Sequence, residues 1–242
     1  MPKPKRVGER VYRQLHDDLV SCRIRPGERL LTEPLCARFG VSFTVVREAL
    51  ARLAAEGFAV ADPSRGFTAA EISVPDILAL TDARIGVEML CLRESLLLGD
   101  AEWQATVAAR RDAVLATPVA DTAQPLRISQ TFLEAHDAFH DALVAGCTNG
   151  WLHRVRSLLQ SQSSRYRQIC IPLEPSLPSR ERGYREIAAA ALGRDFTKAS
   201  ALITERFRRN TADFVQAIEA TIGDPARFWC DIEDAETDRT AA

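Results

Sequence analysis

The chain has 242 residues, 46% of them hydrophobic and 26% charged, with 31 Lys and Arg against 33 Asp and Glu and a net charge of −2. That composition describes one large or two modest globular domains and excludes a histone-like polycation. The charge is uneven, however: residues 1–70 hold 12 basic and 8 acidic side chains and the rest hold 19 and 25, so a basic head joins an acidic body, a pattern expected of a nucleic-acid binder.

No run approaches the roughly 18 consecutive apolar residues of a membrane span, and no apolar signal core follows the basic N-terminus. A cytoplasmic protein with no membrane partner is expected. The six cysteines, at positions 22, 36, 91, 147, 170 and 230, show neither a CxxC pair nor a neighbouring His at metal-ligand spacing. They read as reduced, mostly buried thiols.

Along the chain, Val7, Val11, Leu15 and Leu19 recur every four residues up to Cys22, one face of an amphipathic helix. Arg25-Pro26-Gly27-Glu28 breaks it as a turn. A short helix fits Glu33 to Phe39 and stops at Gly40. Ser42 is placed to N-cap a second helix, which carries Val46, Ala49, Leu50, Leu53 and Ala54 on one side and ends at Gly57. Two short helices joined by a Gly-containing turn form a helix-turn-helix. From Phe58 to Thr68, two short extended runs flank the tip Asp62-Pro63-Ser64-Arg65-Gly66, a hairpin wing.

The run RPGERLLTEPLCARFGVSFTVVREALARLAAEGFAVADPSRGFTAAEI resembles the winged helix of the GntR family of bacterial transcription regulators, in the order and spacing of its RPG, GVS, VREAL, AEG and RGF strings. The resemblance implies double-stranded operator DNA as partner. The second helix would enter the major groove with its N-terminal residues at base edges, which selects Ser42, Phe43, Thr44 and Arg47. Arg38, Arg65 and Gly66 would approach phosphates. In the family pattern Arg usually follows the GVS serine. Here Phe43 stands there; it either touches a thymine methyl or packs under the wing, and it cannot read guanine as Arg does.

After a linker at residues 73–78, helical segments are expected at 76–98, 101–116, 125–146, 149–170, 180–192 and 195–220, broken at Gly99-Asp100, Thr117-Pro118, Gly146 to Gly150, Pro172 to Pro178 and Gly193-Arg194. The expected architecture is mostly α: a winged helix-turn-helix over residues 1–72, then an all-helical bundle of six to seven helices over 79–222. An acidic, partly mobile tail is expected over 223–242.

Polar residues that fall on the apolar stripes of these helices point to an interior site. His136 and His140 lie on the stripe of Ile128, Phe132, Phe139 and Leu143, and Arg206 and Asn210 lie along that of Leu202, Ile203, Phe207 and Phe214. Arg84 and Glu88, Gln162 and Tyr166, and Tyr184 complete the set. Two Arg against one Glu favour an anionic guest, most simply a small carboxylate. Alternatively, Arg84 pairs with Glu88 and each His bonds a backbone carbonyl.

The strings DARIGVEMLCLRESLLLGDAEWQA, HDAFHDALVAGCTNGWLHRV and REIAAAALGRDFTKASALI resemble the FCD effector domain of FadR-type GntR regulators. RYR in SSRYRQI and GDAEW suggest a CsiR-like branch, whose relatives respond to small organic acids such as glutarate. The resemblance implies a homodimeric repressor released by its effector. Many FCD domains hold a divalent metal through an Asp and three His. At those positions this chain has His136, His140, Tyr184 and Arg206, so only His140 matches. A zinc-type site needs at least three protein ligands, hence no cofactor is expected and Arg206 would take over the metal's charge. If a metal is bound after all, His136 and His140 would hold it and the effector would bind through it.

Enzymatic activity is not expected. HDAFH spaces two His as in a metalloprotease helix, yet Asp137 replaces the required Glu and no third ligand is evident. A third reading, an architectural DNA-binding protein without effector, requires an interior free of unpaired polar groups.

Overall fold

A computed structural model describes residues 4–120, 129–170 and 177–222 of the chain. The expected tail at 223–242, Ile128 and most of the Pro172 to Pro178 break lie outside these residues.

The first three helices are α1 (Pro4–Val20), α2 (Thr32–Phe39) and α3 (Phe43–Ala55). On α1 the four-residue spacing buries Val11, Leu15 and Leu19. Gly40 ends α2 with φ +63° and donates its N–H to the Cys36 carbonyl, a left-handed stop that glycine accepts without strain. On α3, Val46, Ala49, Leu50 and Leu53 are buried against Val11, Leu15 and Phe58. Ser42 takes the extended N-cap conformation of α3, but its side chain makes no capping bond, so the hydroxyl does not do what a capping serine normally does.

The wing is β1 (Ala59–Asp62) paired antiparallel with β2 (Gly66–Ala69), Asp62 facing Gly66. A third extended segment joins it. Arg29 bridges Thr68, Leu30 N–H donates to Phe67 O at 2.9 Å and Ala69 N–H to Glu28 O at 2.8 Å. The turn at Arg25 to Glu28 is visible in the sequence; the pairing of Glu28 to Leu30 with β2 that follows it is not.

Among the described residues six further helices follow: α4 (Val74–Leu98), α5 (Ala101–Ala116), α6 (Gln130–Val144), α7 (Gly150–Cys170), α8 (Leu177–Leu192) and α9 (Phe196–Ile222). The fold is therefore mostly helical, a winged helix-turn-helix followed by a helical bundle. Helix α4 starts at Val74, inside the segment expected as a linker at 73–78. Pro75 stands in its first turn, where the missing N–H costs nothing.

The chain forms two compact units, and the division runs through α7. Of the described residues, those through Ser73 together with Arg154–Ile169 make one unit; those between Val74 and His153 and from Cys170 to Ile222 make the other. The core of the second contains Cys91, Leu92, Phe139, Leu143, Ile187, Ala188 and Ile203. Its corners are tied by polar contacts. Asp100 caps α5 by accepting from Trp103 N–H at 2.8 Å, and Trp103 Nε1 donates to Ala142 O at 2.9 Å. Arg194 donates to Leu96 O and, at 2.6 Å, to Gly99 O, satisfying carbonyls that the end of α4 leaves open. Glu94 accepts from the Thr148 N–H at 2.8 Å and hydroxyl at 2.6 Å, and from the Cys147 thiol at 3.2 Å, which holds its carboxyl below the usual carboxylate range.

Candidate functional site

Two constellations emerge, one on each unit. On the first, the opening turns of α3 present Phe43, Thr44 and Arg47 to solvent. Phe43 is 56% exposed, so it does not pack under the wing. Instead the Arg47 guanidinium lies 5.6 Å from its ring centroid. An aromatic face beside a cation is suited to the apolar edge and adjoining phosphate of a nucleotide. The Ser42 hydroxyl, exposed and not used in capping, lies at the same end of the helix, where N–H groups and the helix dipole favour an anion.

The wing tip is set by Asp62. Its Oδ1 accepts from the Ser64 N–H and hydroxyl, both at 2.7 Å, and from the Arg65 N–H at 3.0 Å, and these bonds, that of the Ser64 hydroxyl foremost, lower its pKa. Arg65 is thereby carried outward on a fixed turn. Gly66 has φ +84° and nothing within 4 Å of where a Cβ would stand. The left-handed backbone is thus the structural reason for glycine there. Arg38 is half-exposed but committed: its guanidinium lies 2.7 Å from the buried Asp18 carboxylate, which Arg23 also meets at 2.8 Å. Arg29, not singled out from the sequence, is exposed on the third segment of the wing, and its charge acts on Asp62. Only the pairing with β2 reveals it, so no local sequence signal marks it.

In the second unit, four helices supply the interior cluster. Tyr184 of α8, 2% exposed, has its hydroxyl 2.7 Å from His136 Nδ1. The His136 and His140 rings of α6 stand 4.6 Å apart, edge to face. Arg206 of α9 places its guanidinium 4.2 Å from the Tyr184 ring centroid, and its Nε is buried with no hydrogen-bond partner among the described residues. Burial depresses the Arg206 pKa, the Tyr184 oxygen opposes that effect, and Arg180 adds to it as a second nearby cation. Gly183 makes room, since a Cβ there would come within 3.2 Å of Arg206 Nη1. Arg84 of α4 lies 4.5 Å over the Phe207 ring, whose other neighbour is His140 at 5.9 Å. Glu88 is buried on α4 and Asn210 is half-buried on α9, one turn beyond Arg206.

Two expected members are not part of this cluster. Gln162 donates to the Glu56 carbonyl at 2.8 Å, and Tyr166 accepts from the Ser73 N–H at 3.4 Å. Both belong to the first unit. Their i, i+4 spacing puts them on one stripe of the helix, but a stripe does not say which neighbour it faces. At the positions where FCD domains often hold a metal, the side chains here are His136, His140, Tyr184 and Arg206. Among the described residues no three His, Cys, Asp or Glu side chains converge as a metal site, and a guanidinium at one family ligand position repels a cation.

Residues 7–68 match the family described as "Bacterial regulatory proteins, gntR family" and residues 79–209 match the "FCD domain". The chain is 31% identical over 195 residues to the "Uncharacterized HTH-type transcriptional regulator BphR" of Paraburkholderia xenovorans (strain LB400), covering 81% of this chain and 80% of the relative. It is 29% identical over 198 residues to the "HTH-type transcriptional repressor GlaR" of Escherichia coli (strain K12), covering 80% and 89%. Among solved structures, "E. coli McbR/YncC" shares the fold with a TM-score of 0.70 at 19% identity, over 89% of this chain and 99% of that one. A "putative transcriptional regulator GntR from Rhodococcus sp. RHA1" does so with a TM-score of 0.66 at 20% identity, over 87% and 98%.

Proposed function

The chain belongs to the gntR family of bacterial regulatory proteins, carries an FCD domain and is a DNA-binding transcriptional regulator; from that premise we propose that it is a homodimeric cytoplasmic repressor released from operator DNA by a small organic acid. The matched families are regulators and not enzymes. No helix among the described residues is long and apolar enough to cross a membrane.

The observation that carries the effector reading is Arg206. A guanidinium taken out of water is costly unless an anion or several acceptors replace the water. Here its Nε has no partner among the described residues and Tyr184 supplies the principal compensation. A carboxylate bound between Arg206 and the His136–Tyr184 pair would accept from the guanidinium fork, with Arg84, Glu88, His140 and Asn210 around it. In this reading Arg206 supplies the positive charge that a metal supplies in many relatives, and no cofactor is needed. Thermal-shift titration with mono- and dicarboxylates tests it: at least one acid raises the melting temperature and lowers operator affinity in parallel. Indifference to every acid would favour an effector-free architectural role.

For DNA, Ser42, Phe43, Thr44 and Arg47 read bases and phosphates from the groove, and Arg29, Arg65 and the Gly66 backbone hold phosphates beside it. Arg38 contributes mainly through its pair with Asp18. Repression is supported by the likeness to the transcriptional repressor GlaR, to which the chain is 29% identical. Dimerisation is supported by apolar side chains that the single chain leaves in water. On α4 these are Leu90, 50% exposed, and Leu97, 77% exposed, seven residues apart; on α7 they are Trp151, Val155 and Leu158 along one side. Two copies give the paired winged helices that two-fold operators require.

A further inference from the structure

Residues 162–166 of α7 gather three separate segments of the DNA-binding unit. Gln162 Nε2 donates to the Glu56 carbonyl at the C-terminal end of α3, at 2.8 Å. The Arg165 guanidinium donates to the carbonyl of Ala70, the residue after β2, and at 3.2 Å to Gln162 Oε1. The Ser73 N–H donates to the Tyr166 hydroxyl at 3.4 Å, and the Cys22 thiol, at the corner after α1, donates to the Arg165 carbonyl at 3.7 Å. Arg165 is 3% exposed. Gly57, with φ +80°, clears the approach, because a Cβ there would stand 3.3 Å from Gln162 Nε2.

These bonds join the two elements that meet DNA. The reading helix carries Thr44 and Arg47 at its far end, and β2 descends from the wing tip that carries Arg65. Base readout needs helix and wing engaged together in one register, whereas attraction to phosphates needs only their charge. A guanidinium is planar and presents donors in two directions at once. Arg165 uses one on the wing side and one on the amide that holds the helix side. The geometry points to Arg165 and Gln162 as positioning residues for sequence-specific DNA binding: they fix the end of the wing against the end of the reading helix. Nothing in this rests on the effector reading.

The experiment uses the full chain, a duplex recovered by wild-type protein from a random-sequence pool, and a scrambled duplex of the same length and composition, all at one fixed salt concentration. Gln162→Ala and Arg165→Ala weaken binding to the selected duplex by about tenfold or more, while binding to the scrambled duplex stays within about twofold. Arg165→Lys, which keeps the charge and one donor but loses the fork, falls between them and wild type. Proportional loss on both duplexes, as a merely reduced folded fraction would give, overturns the proposal. So does unchanged discrimination by Gln162→Ala. If Arg165→Ala melts before assay, Gln162→Ala alone decides, since Gln162 is only half-buried and loses one bond to the Glu56 carbonyl and one from Arg165.

Discussion

The guanidinium of Arg206 stacks on the ring of Tyr184, 4.2 Å from its centroid, while the hydroxyl of the same tyrosine bonds His136. Tyr184 thus joins a cation and an imidazole through opposite properties of one side chain, its π face and its oxygen. Among the described residues no carboxylate pairs with Arg206, so the arginine contributes little to folding.

Replacing Arg206 therefore separates sensing from stability. Arg206→Met is expected to change the melting temperature without added acid by no more than about 2–4 °C, on the order of 1 kcal/mol. It should abolish the acid-induced shift and leave operator affinity intact. Calorimetric titration of wild type and variant checks this; an acid bound equally well by both would remove Arg206 from the site.

Arg47→Ala should weaken operator binding by about 1–3 kcal/mol and flatten its salt dependence. Because Arg47 is exposed, unfolding should be unaffected. Anisotropy titrations at several salt concentrations, beside thermal melts, distinguish loss of a contact from loss of fold.

Leu97→Glu combined with Trp151→Glu should convert a dimer into a monomer in sedimentation experiments. Both side chains are largely in water in the single chain, so the monomer should keep its helical signal. A variant that remains dimeric places the interface elsewhere.

Gly99→Ala should destabilise the second unit by about 1–3 kcal/mol. A Cβ there would stand 2.4 Å from the Trp103 ring and 2.7 Å from the Ser95 carbonyl. Moving the indole would break its bond to Ala142 O. Denaturant titration measures the loss, and a neutral result would mean that Trp103 has space to retreat.

Glu94 predicts a pH dependence. Its folded pKa is depressed, first by the Thr148 hydroxyl, from an ordinary value of 4.5. Its stabilisation is then fully present above that value and is lost as pH falls through the lower folded value. Glu94→Gln should narrow the gap to wild type as acid is added, a trend that melts from pH 7 down to 3 would reveal.

The sequence declared most of this fold because its stops are chemical. Gly40 and Gly57 take left-handed conformations, Asp100 caps α5, and Pro118 follows its end. The interior cluster was legible as far as helical period reaches: His136, His140 and Arg206 lie on stripes that also carry the buried Phe132, Phe139, Leu143, Ile203 and Phe207. What period cannot supply is the partner of a stripe. Gln162 and Tyr166 looked like members of the same interior and serve the DNA-binding unit instead. Arg165, in a polar-looking run, gave no sign of being buried, because its burial depends on the Ala70 carbonyl some 95 positions earlier. Arg29 was hidden for the same reason, its role arising from a bridge to Thr68.

The passage of α7 into the first unit changes what counts as the boundary of the DNA-binding module. A fragment severed after Ser73 would carry every residue of the winged helix and still lack part of its packing, leaving the Glu56 and Ala70 carbonyls without their side-chain donors. Chimeras that exchange sensors between relatives at that point would also exchange those donors. The stretch Arg154–Ile169 should therefore travel with the winged helix it supports.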